Sequence, residues 1–145
     1  MHAFDDTPVR QFNPLTQSEC IRLLETHSLG RLAWQAADSQ QVRPINYAFR
    51  SGAVYFRTSP AGILSELVRP TDVALEVDDL DQHKRTGWSV IVYGRARAVA
   101  APTEVLEQSE LHNLVPWAPG VRNLFIQITP SRITGRLLQR VLRED

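Results

Sequence analysis

The stretch from Trp88 to Ala100, WSVIVYGRARAVA, restricts the fold of this chain more than any other. Its β-branched and aromatic residues predict a single long β-strand. Gly94 stands near its middle, where a residue without a side chain permits a β-bulge or a sharp bend. Because a small closed barrel needs long strands that bend at its corners, this stretch favours a barrel.

Shorter stretches with strand composition surround the long one. Ser51-Gly52 separates two of them, and a two-residue loop of this kind is typical of a β-hairpin. Pro44 cannot donate to a strand ladder, so it predicts an edge at that point. The stretches are 29–35, 42–50, 53–59, 73–77, 124–129 and 133–138, the last two around a turn at Pro130-Ser131. We expect the first three to form an antiparallel meander.

Helical patterns occur at three places. Thr16 and Glu19 match the capping box and predict a helix over residues 16–28 that ends at Gly30. A short amphipathic helix follows Pro60, and a further helix is predicted over residues 102–114. About seven strands with these helices favour a small antiparallel barrel over a parallel sheet. Residues 1–15 are expected to be a flexible arm and residues 139–145 a tail.

The chain of 145 residues carries 16 basic and 16 acidic residues, and this balance argues against a protein that wraps nucleic acid. Its single cysteine, Cys20, leaves no pair for an internal disulfide and no cysteine cluster for a metal. No apolar run approaches the ~20 residues of a membrane span, and the N-terminus lacks the layout of a signal peptide. We therefore expect a soluble cytoplasmic protein.

The strand over residues 53–59 delivers Arg57, Thr58 and Ser59 to the start of the short helix. An arginine and two hydroxyls beside free backbone N–H groups can hold an anion such as a phosphate. The same hydroxyls can also serve only as helix caps. Both interpretations stay open.

Other polar and aromatic groups have an ordinary interpretation beside a functional one. His27 is expected to pack at the end of the first helix, since no other histidine stands at ligand spacing from it. The carboxylates of residues 76–81 fit a solvated loop better than a cation site. Trp117 fits a core-capping aromatic and a rigid residue at the rim of a site equally well. The arginines after residue 131 are interpreted as a solvated end.

The order of several motifs resembles the pyridoxamine 5′-phosphate oxidase-like family of flavin-binding split barrels, particularly its short bacterial members. The motifs are GRLAW, RPINYAF, VYFRTSP, VALEVDD, GWSVIVYGRA and PWAPG followed by FIQITPSRITGR. The resemblance spans roughly Thr16 to Leu137. It implies a mainly β, α+β fold: an antiparallel split barrel of Greek-key type with a few short helices, forming one flavin-binding domain over residues 16–138.

The resemblance also implies a flavin site, with FMN as the expected cofactor. In the family, one strand lies along the flavin ring, and the end of a second strand with the helix start after it approaches the ring and the phosphate. The second subunit closes the site, so the resemblance implies a homodimer. The matching positions are Arg43, Pro44, Ile45, Asn46 and Tyr47; Phe56, Arg57, Thr58, Ser59, Gly62 and Ile63; Trp88 and Ser89 from the partner; and Trp117.

The chain departs from the family at one of these positions. Many relatives carry a basic residue, usually lysine, at the helix start, whereas this chain has Gly62 and Ile63. Loss of such a charge-assisted contact costs about 1.5–3 kcal/mol. Weak FMN binding, use of the deazaflavin F420 and a repurposed site are the three consequences to consider.

The sequence leaves three alternative hypotheses for the function. The first is a flavin-dependent oxidoreductase acting on a small molecule, in which the cofactor supplies the redox chemistry and no side chain is assigned as a catalytic residue. The second is a dimeric barrel that binds a small anionic or planar ligand without turnover. The third is nucleic-acid binding through exposed aromatic residues, which the neutral charge disfavours.

Overall fold

The structure of the chain, a computed structural model, describes residues 9–59, 62–100 and 124–141. The helix predicted over residues 102–114 and Trp117 lie outside these ranges. The strands are β1 (Val9–Pro14), β2 (Leu29–Gln35), β3 (Gln40–Asn46), β4 (Ala48–Arg50), β5 (Ala53–Thr58), β6 (Thr71–Asp81), β7 (Thr86–Val99) and β8 (Leu124–Val141). One α-helix, α1 (Gln17–Thr26), and one 3₁₀ helix (Ile63–Val68) complete the described elements.

The strands form one antiparallel sheet in the order β3-β2-β6-β7-β8-β5-β4, with β1 also paired to β8. The sheet curls into a half-barrel around a core of apolar side chains, which confirms the predicted fold class. Both pairings of the predicted meander are present, β2 with β3 and β4 with β5. The single strand predicted over residues 42–50 is wrong, because the chain divides it into β3 and β4, which lie at opposite ends of this order. The hairpin at Ser51-Gly52 is confirmed, and both residues have the positive φ angles that a tight two-residue turn requires.

Strand β8 is the longest element of the sheet, with 18 residues. It was predicted as two strands around a turn at Pro130-Ser131, and that prediction is wrong. The register steps from Tyr93 opposite Arg132 to Gly94 opposite Pro130, so Ser131 is the extra residue of a β-bulge. The Ser131 hydroxyl donates to the Tyr93 carbonyl at 3.1 Å, and the chain continues as a bent strand. The irregularity predicted at Gly94 is confirmed.

Residues 9–14 and 139–141 belong to strands that the sequence did not predict. Residues 9–14 were expected to belong to a flexible arm, but they form β1, which pairs with residues 136–141 of β8. Strand β8 likewise extends through residues 139–141 of the expected tail. On the side of β8 away from β7, residues 124–128 pair with β5 and residues 136–141 with β1. This exchange of partners splits the sheet on that side.

Helix α1 lies against the split. Its capping box is confirmed: the Glu19 amide donates to the Thr16 hydroxyl, and the Thr16 amide donates to the Glu19 carboxylate. The Leu15 amide donates to the Gly135 carbonyl at 2.9 Å, and a side chain at Gly135 would meet the Cys20 sulfur. The helix ends with His27 as its C-cap, earlier than the predicted stop at Gly30, which belongs to β2. Neither described helix has the length and apolar composition to cross a membrane.

Gly94 should be intolerant of a side chain. A Cβ atom there would lie 2.3 Å from the Thr129 carbonyl oxygen, which belongs to backbone that cannot rotate away. We expect Gly94→Ala to lower the free energy of unfolding by about 1–3 kcal/mol. Chemical denaturation measures this, and Gly62→Ala is the control, since its Cβ would lie 3.7 Å from the nearest atom. Equal stability of the two variants would contradict the prediction.

Candidate functional site

The predicted ring-binding segment forms the end of edge strand β3. Within the described ranges, β3 pairs only with β2, so the opposite side of its backbone has no strand partner. Ile45 is buried in the core, whereas Arg43 and Pro44 are exposed and Asn46 is half-buried. The Arg43 guanidinium donates to the Gln41 side chain at 3.0 Å. The edge predicted from Pro44 is therefore present, with one cation on it.

Tyr47 separates β3 from β4. Its side chain is buried, its hydroxyl donates to the Leu24 carbonyl at 3.0 Å, and its amide donates to the Ser28 carbonyl at 2.8 Å. Burial raises the pKa of the Tyr47 phenol well above its usual range. The phenol therefore serves the core and cannot exchange protons with a ligand near neutral pH.

The second predicted segment is the end of β5. Phe56 and Thr58 point into the core and are fully buried. Arg57 points to the outer face of the sheet, where its guanidinium lies 5.3 Å from the centre of the Phe125 ring. Ser59 is half-buried. Of the three residues expected to form an anion cradle, Arg57 and Thr58 thus point to opposite sides of the sheet.

The helix expected after β5 is a 3₁₀ helix of six residues. Gly62 is its N-cap and makes no side-chain cap, and Ile63 is 41% exposed. A helix this short and irregular offers a weak dipole to an anion. The Glu66 carboxylate on this helix accepts a hydrogen bond from Trp34 Nε1 at 3.4 Å, and it adds a negative charge near the expected phosphate end.

These segments meet because the sheet curls. Strand β3 contacts β5, although the two are separated by four strands in the sheet order. The bond between Trp34 on β2 and Glu66 also holds the 3₁₀ helix against the β2–β3 end of the sheet. The β3 edge, the β5 end and the 3₁₀ helix therefore border one region, which we call the seam.

The two residues expected from a partner subunit point in different directions. Trp88 packs against the core, and its ring lies edge-on to His27 with 4.7 Å between the ring centres. This contact confirms His27 as a packed helix-end residue. Ser89 points to the outer face of β7, opposite Asp78 on β6 and Arg136 on β8. Alternation from buried Val90 could have shown this in the sequence.

Ser89 lies apart from the β3 edge of the seam within one chain. Strand β7 lies three strands from β3, which is about 14 Å across the sheet. Next to Ser89 on the outer face is a row of directly paired positions, Phe12, Leu138, Gly87 and Leu80. Phe12 is 66% exposed and Leu80 is 55% exposed. This apolar row, which sequence analysis did not find, connects residues distant in the chain.

A charged cluster adjoins Ser89 on the same face. The Arg31 guanidinium donates to Glu76 at 3.4 Å and to Asp78 at 3.1 Å. The pKa of Glu76 is raised to about 7, mainly by burial and further by the hydrogen bond and negative charge of Asp78. The positive charge of Arg31 acts in the opposite direction and lowers this pKa. These carboxylates were expected in a solvated loop, but they belong to β6.

Comparisons with known proteins place this geometry in a family. Residues 16–137 match the family model described as pyridoxamine 5′-phosphate oxidase. An uncharacterised protein of Mycobacterium tuberculosis is 35% identical over 131 residues, which are 87% of this chain and 85% of that protein.

Solved structures give the same result. The structure of an FAD-binding protein from Mycobacterium smegmatis has 31% identity and a TM-score of 0.72, covering 88% of this chain and all of that one. An FAD-binding protein from Mesorhizobium loti shares the fold, with a TM-score of 0.76 at 24% identity over 91% of this chain and all of that one.

The raised pKa of Glu76 predicts a pH-dependent stability. Below about pH 4.5 the carboxyl is protonated in both states, and between 4.5 and about 7 only the unfolded chain loses its proton. The free energy of unfolding should therefore fall as pH rises through this window and then level off. Glu76→Gln should remove this part of the slope, as measured by denaturation at pH values across the window. Exposed Glu25→Gln is the control; an unchanged slope in Glu76→Gln would contradict the prediction.

Proposed function

Because the chain belongs to the pyridoxamine 5′-phosphate oxidase family, we propose that it binds a flavin between two copies of itself and acts as an oxidoreductase on a small molecule. The observation that carries the proposal is the open backbone edge of β3 beside the seam, at the position that the family resemblance gives to the flavin ring. The Mycobacterium smegmatis relative, described as an FAD-binding protein at 31% identity, supports a flavin as the ligand.

The residues present fit the ring end of a flavin. An unpaired strand edge offers backbone N–H and C=O groups, and these can pair with the polar rim of a flat heterocycle. Residues 43–46 supply that edge, and buried Ile45 holds it against the core. When bound, the flavin would supply the hydride or electron chemistry, and the protein would orient it and exclude water.

The residues near the expected flavin phosphate fit a flavin less well than the residues near its ring. Arg43 is an exposed cation on the β3 edge, whereas exposed Ile63 stands where many relatives carry a basic residue, and the Glu66 carboxylate lies on the same 3₁₀ helix. FMN is the flavin that the sequence favours, and FAD shares its ring and first phosphate. The exposed Ile63 supports a second candidate, a barrel that binds a planar ligand without turnover or that uses F420.

A homodimer would complete the site. Across the sheet of one chain, Ser89 lies three strands, or about 14 Å, from the β3 edge and points to the outer face, so a single copy does not bring Ser89 to a ligand on that edge. The apolar row of Phe12, Leu138 and Leu80 beside Ser89 offers a surface that association would remove from water. In the proposed dimer, this outer face of one copy covers the seam of the other.

The proposed chemistry uses few protein groups. Tyr47 is held in the core with its phenol protonated, and Trp88 packs against His27. Glu66 is the carboxylate that the structure places at the seam, and it accepts a hydrogen bond from Trp34 Nε1. We assign no side chain as a catalytic acid or base.

The flavin proposal predicts a gain of affinity from one substitution. Ile63→Lys should strengthen FMN binding by about one to two decades, because it adds a charge-assisted contact at the phosphate end. Titration of purified protein with FMN, FAD and F420, followed by fluorescence, measures this. Val68→Lys is the matched control, since Val68 has the same 41% exposure at the other end of the helix. Equal gains in both variants, or no binding of any of the three at micromolar concentration, would count against the proposal.

The dimer proposal makes a separate prediction. Leu80→Glu places a charge in the apolar row, so it should shift the protein from dimer to monomer in analytical ultracentrifugation and weaken FMN binding at least tenfold. Arg22→Glu, on the exposed face of α1 and outside both the row and the seam, should change neither. A wild-type monomer that binds FMN tightly would contradict a site shared between copies.

A further inference from the structure

An open groove of about 980 Å³ lies on the outer face of the sheet at the β-bulge. Its walls come from the start of β6, the middle of β7 and the bulged part of β8. This size falls in the range of small-molecule sites. Arg95 is six residues along β7 from Ser89, or about 20 Å, so the groove is separate from the proposed flavin contacts on that strand.

The groove is lined by cations. Arg95 and Arg97 project from alternate positions of β7, and both are exposed. The Arg97 guanidinium donates to the Gln127 side chain at 3.3 Å, which steadies it while leaving other N–H groups for a ligand. Next to the groove, the Arg132 guanidinium stacks on the Tyr93 ring at 4.1 Å from its centre. Three arginines therefore converge on one surface.

One carboxylate opposes this charge. Asp72 lies at the rim with 94% of its side chain exposed, and its oxygen is 3.9 Å from Arg95 Nε. An exposed pair at this distance contributes little energy, so Arg95 is available to a stronger partner. Among the described residues that line or adjoin the groove, three positive charges thus face one negative charge.

The remaining lining is apolar or hydroxylic. Pro70 and Pro130 give apolar walls beside the Tyr93 ring, and Ser131 adds a hydroxyl. An inorganic anion would contact only the arginines. The apolar part of the lining suits a ligand that carries an apolar or aromatic group in addition to its anionic group. Arginine guanidinium groups match the geometry of phosphate oxygens.

We propose that the groove binds a small molecule that joins a phosphate group to a flat, weakly polar ring, the phosphate lying on Arg95 and Arg97 and the ring on the Tyr93 side. This is a second ligand site, independent of the flavin proposal. The local cations explain how a chain of zero net charge can bind an anion.

Isothermal titration calorimetry with AMP, adenosine and inorganic phosphate tests the proposal. AMP should bind at least tenfold more tightly than either of the others, and its affinity should fall with added salt. Saturating riboflavin, which carries no phosphate, should not displace AMP. Equal binding of adenosine or of phosphate, displacement by riboflavin, or no AMP binding at millimolar concentration would overturn the proposal.

Three variants locate the site. The double variant Arg95→Gln/Arg97→Gln should weaken AMP binding about tenfold, and Arg22→Gln, an exposed arginine on α1, should not. Asp72→Asn removes the opposing charge and should tighten AMP binding about threefold, a gain that general loss of structure cannot produce. Unchanged affinity in the double variant, or weaker AMP binding in Asp72→Asn, would show that AMP binds elsewhere and would overturn the assignment.

Discussion

The ladder between β7 and β8 is the interaction on which the rest of the structure depends. It joins the two halves of the sheet, and it bends where Gly94 passes close to the backbone of Thr129. A side chain at Gly94 would force the two strands apart at this point. Because β8 holds β7 on one side and both β5 and β1 on the other, the bend in this ladder sets the curl of the sheet.

The curl in turn creates the candidate site. Tyr47 fixes the place where the chain leaves one edge of the sheet and joins the other. Its hydrogen bonds to Leu24 near the end of α1 and to Ser28 just before β2 hold that crossing. The β3 edge and the end of β5 then face a common region. Strand pairing alone would leave them at opposite ends of a flat sheet.

Charge is distributed unevenly along the outer face. Arg95, Arg97 and Arg132 lie near the bulge, whereas Glu76 and Asp78 lie further along β6 beside Ser89. The formal net charge of zero therefore hides a cationic region at the groove and a cluster of carboxylates paired with Arg31 beside Ser89. Each region has its own consequence: anion binding at the groove, and a stability that depends on pH at the carboxylate pair.

Local signals were interpreted correctly where their effect is local. The capping box of Thr16 and Glu19, the turn at Ser51-Gly52 and the irregularity at Gly94 depend on neighbouring residues or on backbone freedom, so each can be recognised in the sequence. The edge at Pro44 belongs to the same group, since a missing N–H is a property of that residue itself.

Prediction from the sequence failed where pairing with a strand distant in the chain decides the local conformation. Pro130-Ser131 has the composition of a turn, but β7 holds the segment in a continuous strand and Ser131 becomes the bulged residue. Residues 9–14 have no strand pattern and are ordered only because β8 offers them a free side.

The sequence by itself thus determined the class of fold, its main helix, its hairpin and the exposed edge of β3, because these follow from periodicity, caps and backbone chemistry. Only the tertiary structure decided which side chains share a surface. It packed the Trp88 ring against His27, brought the Arg57 guanidinium over the Phe125 ring, and placed Arg95 and Arg97 in one groove with Pro130 and Ser131. These outcomes depend on register and curl, which are fixed by pairing between residues far apart in the chain.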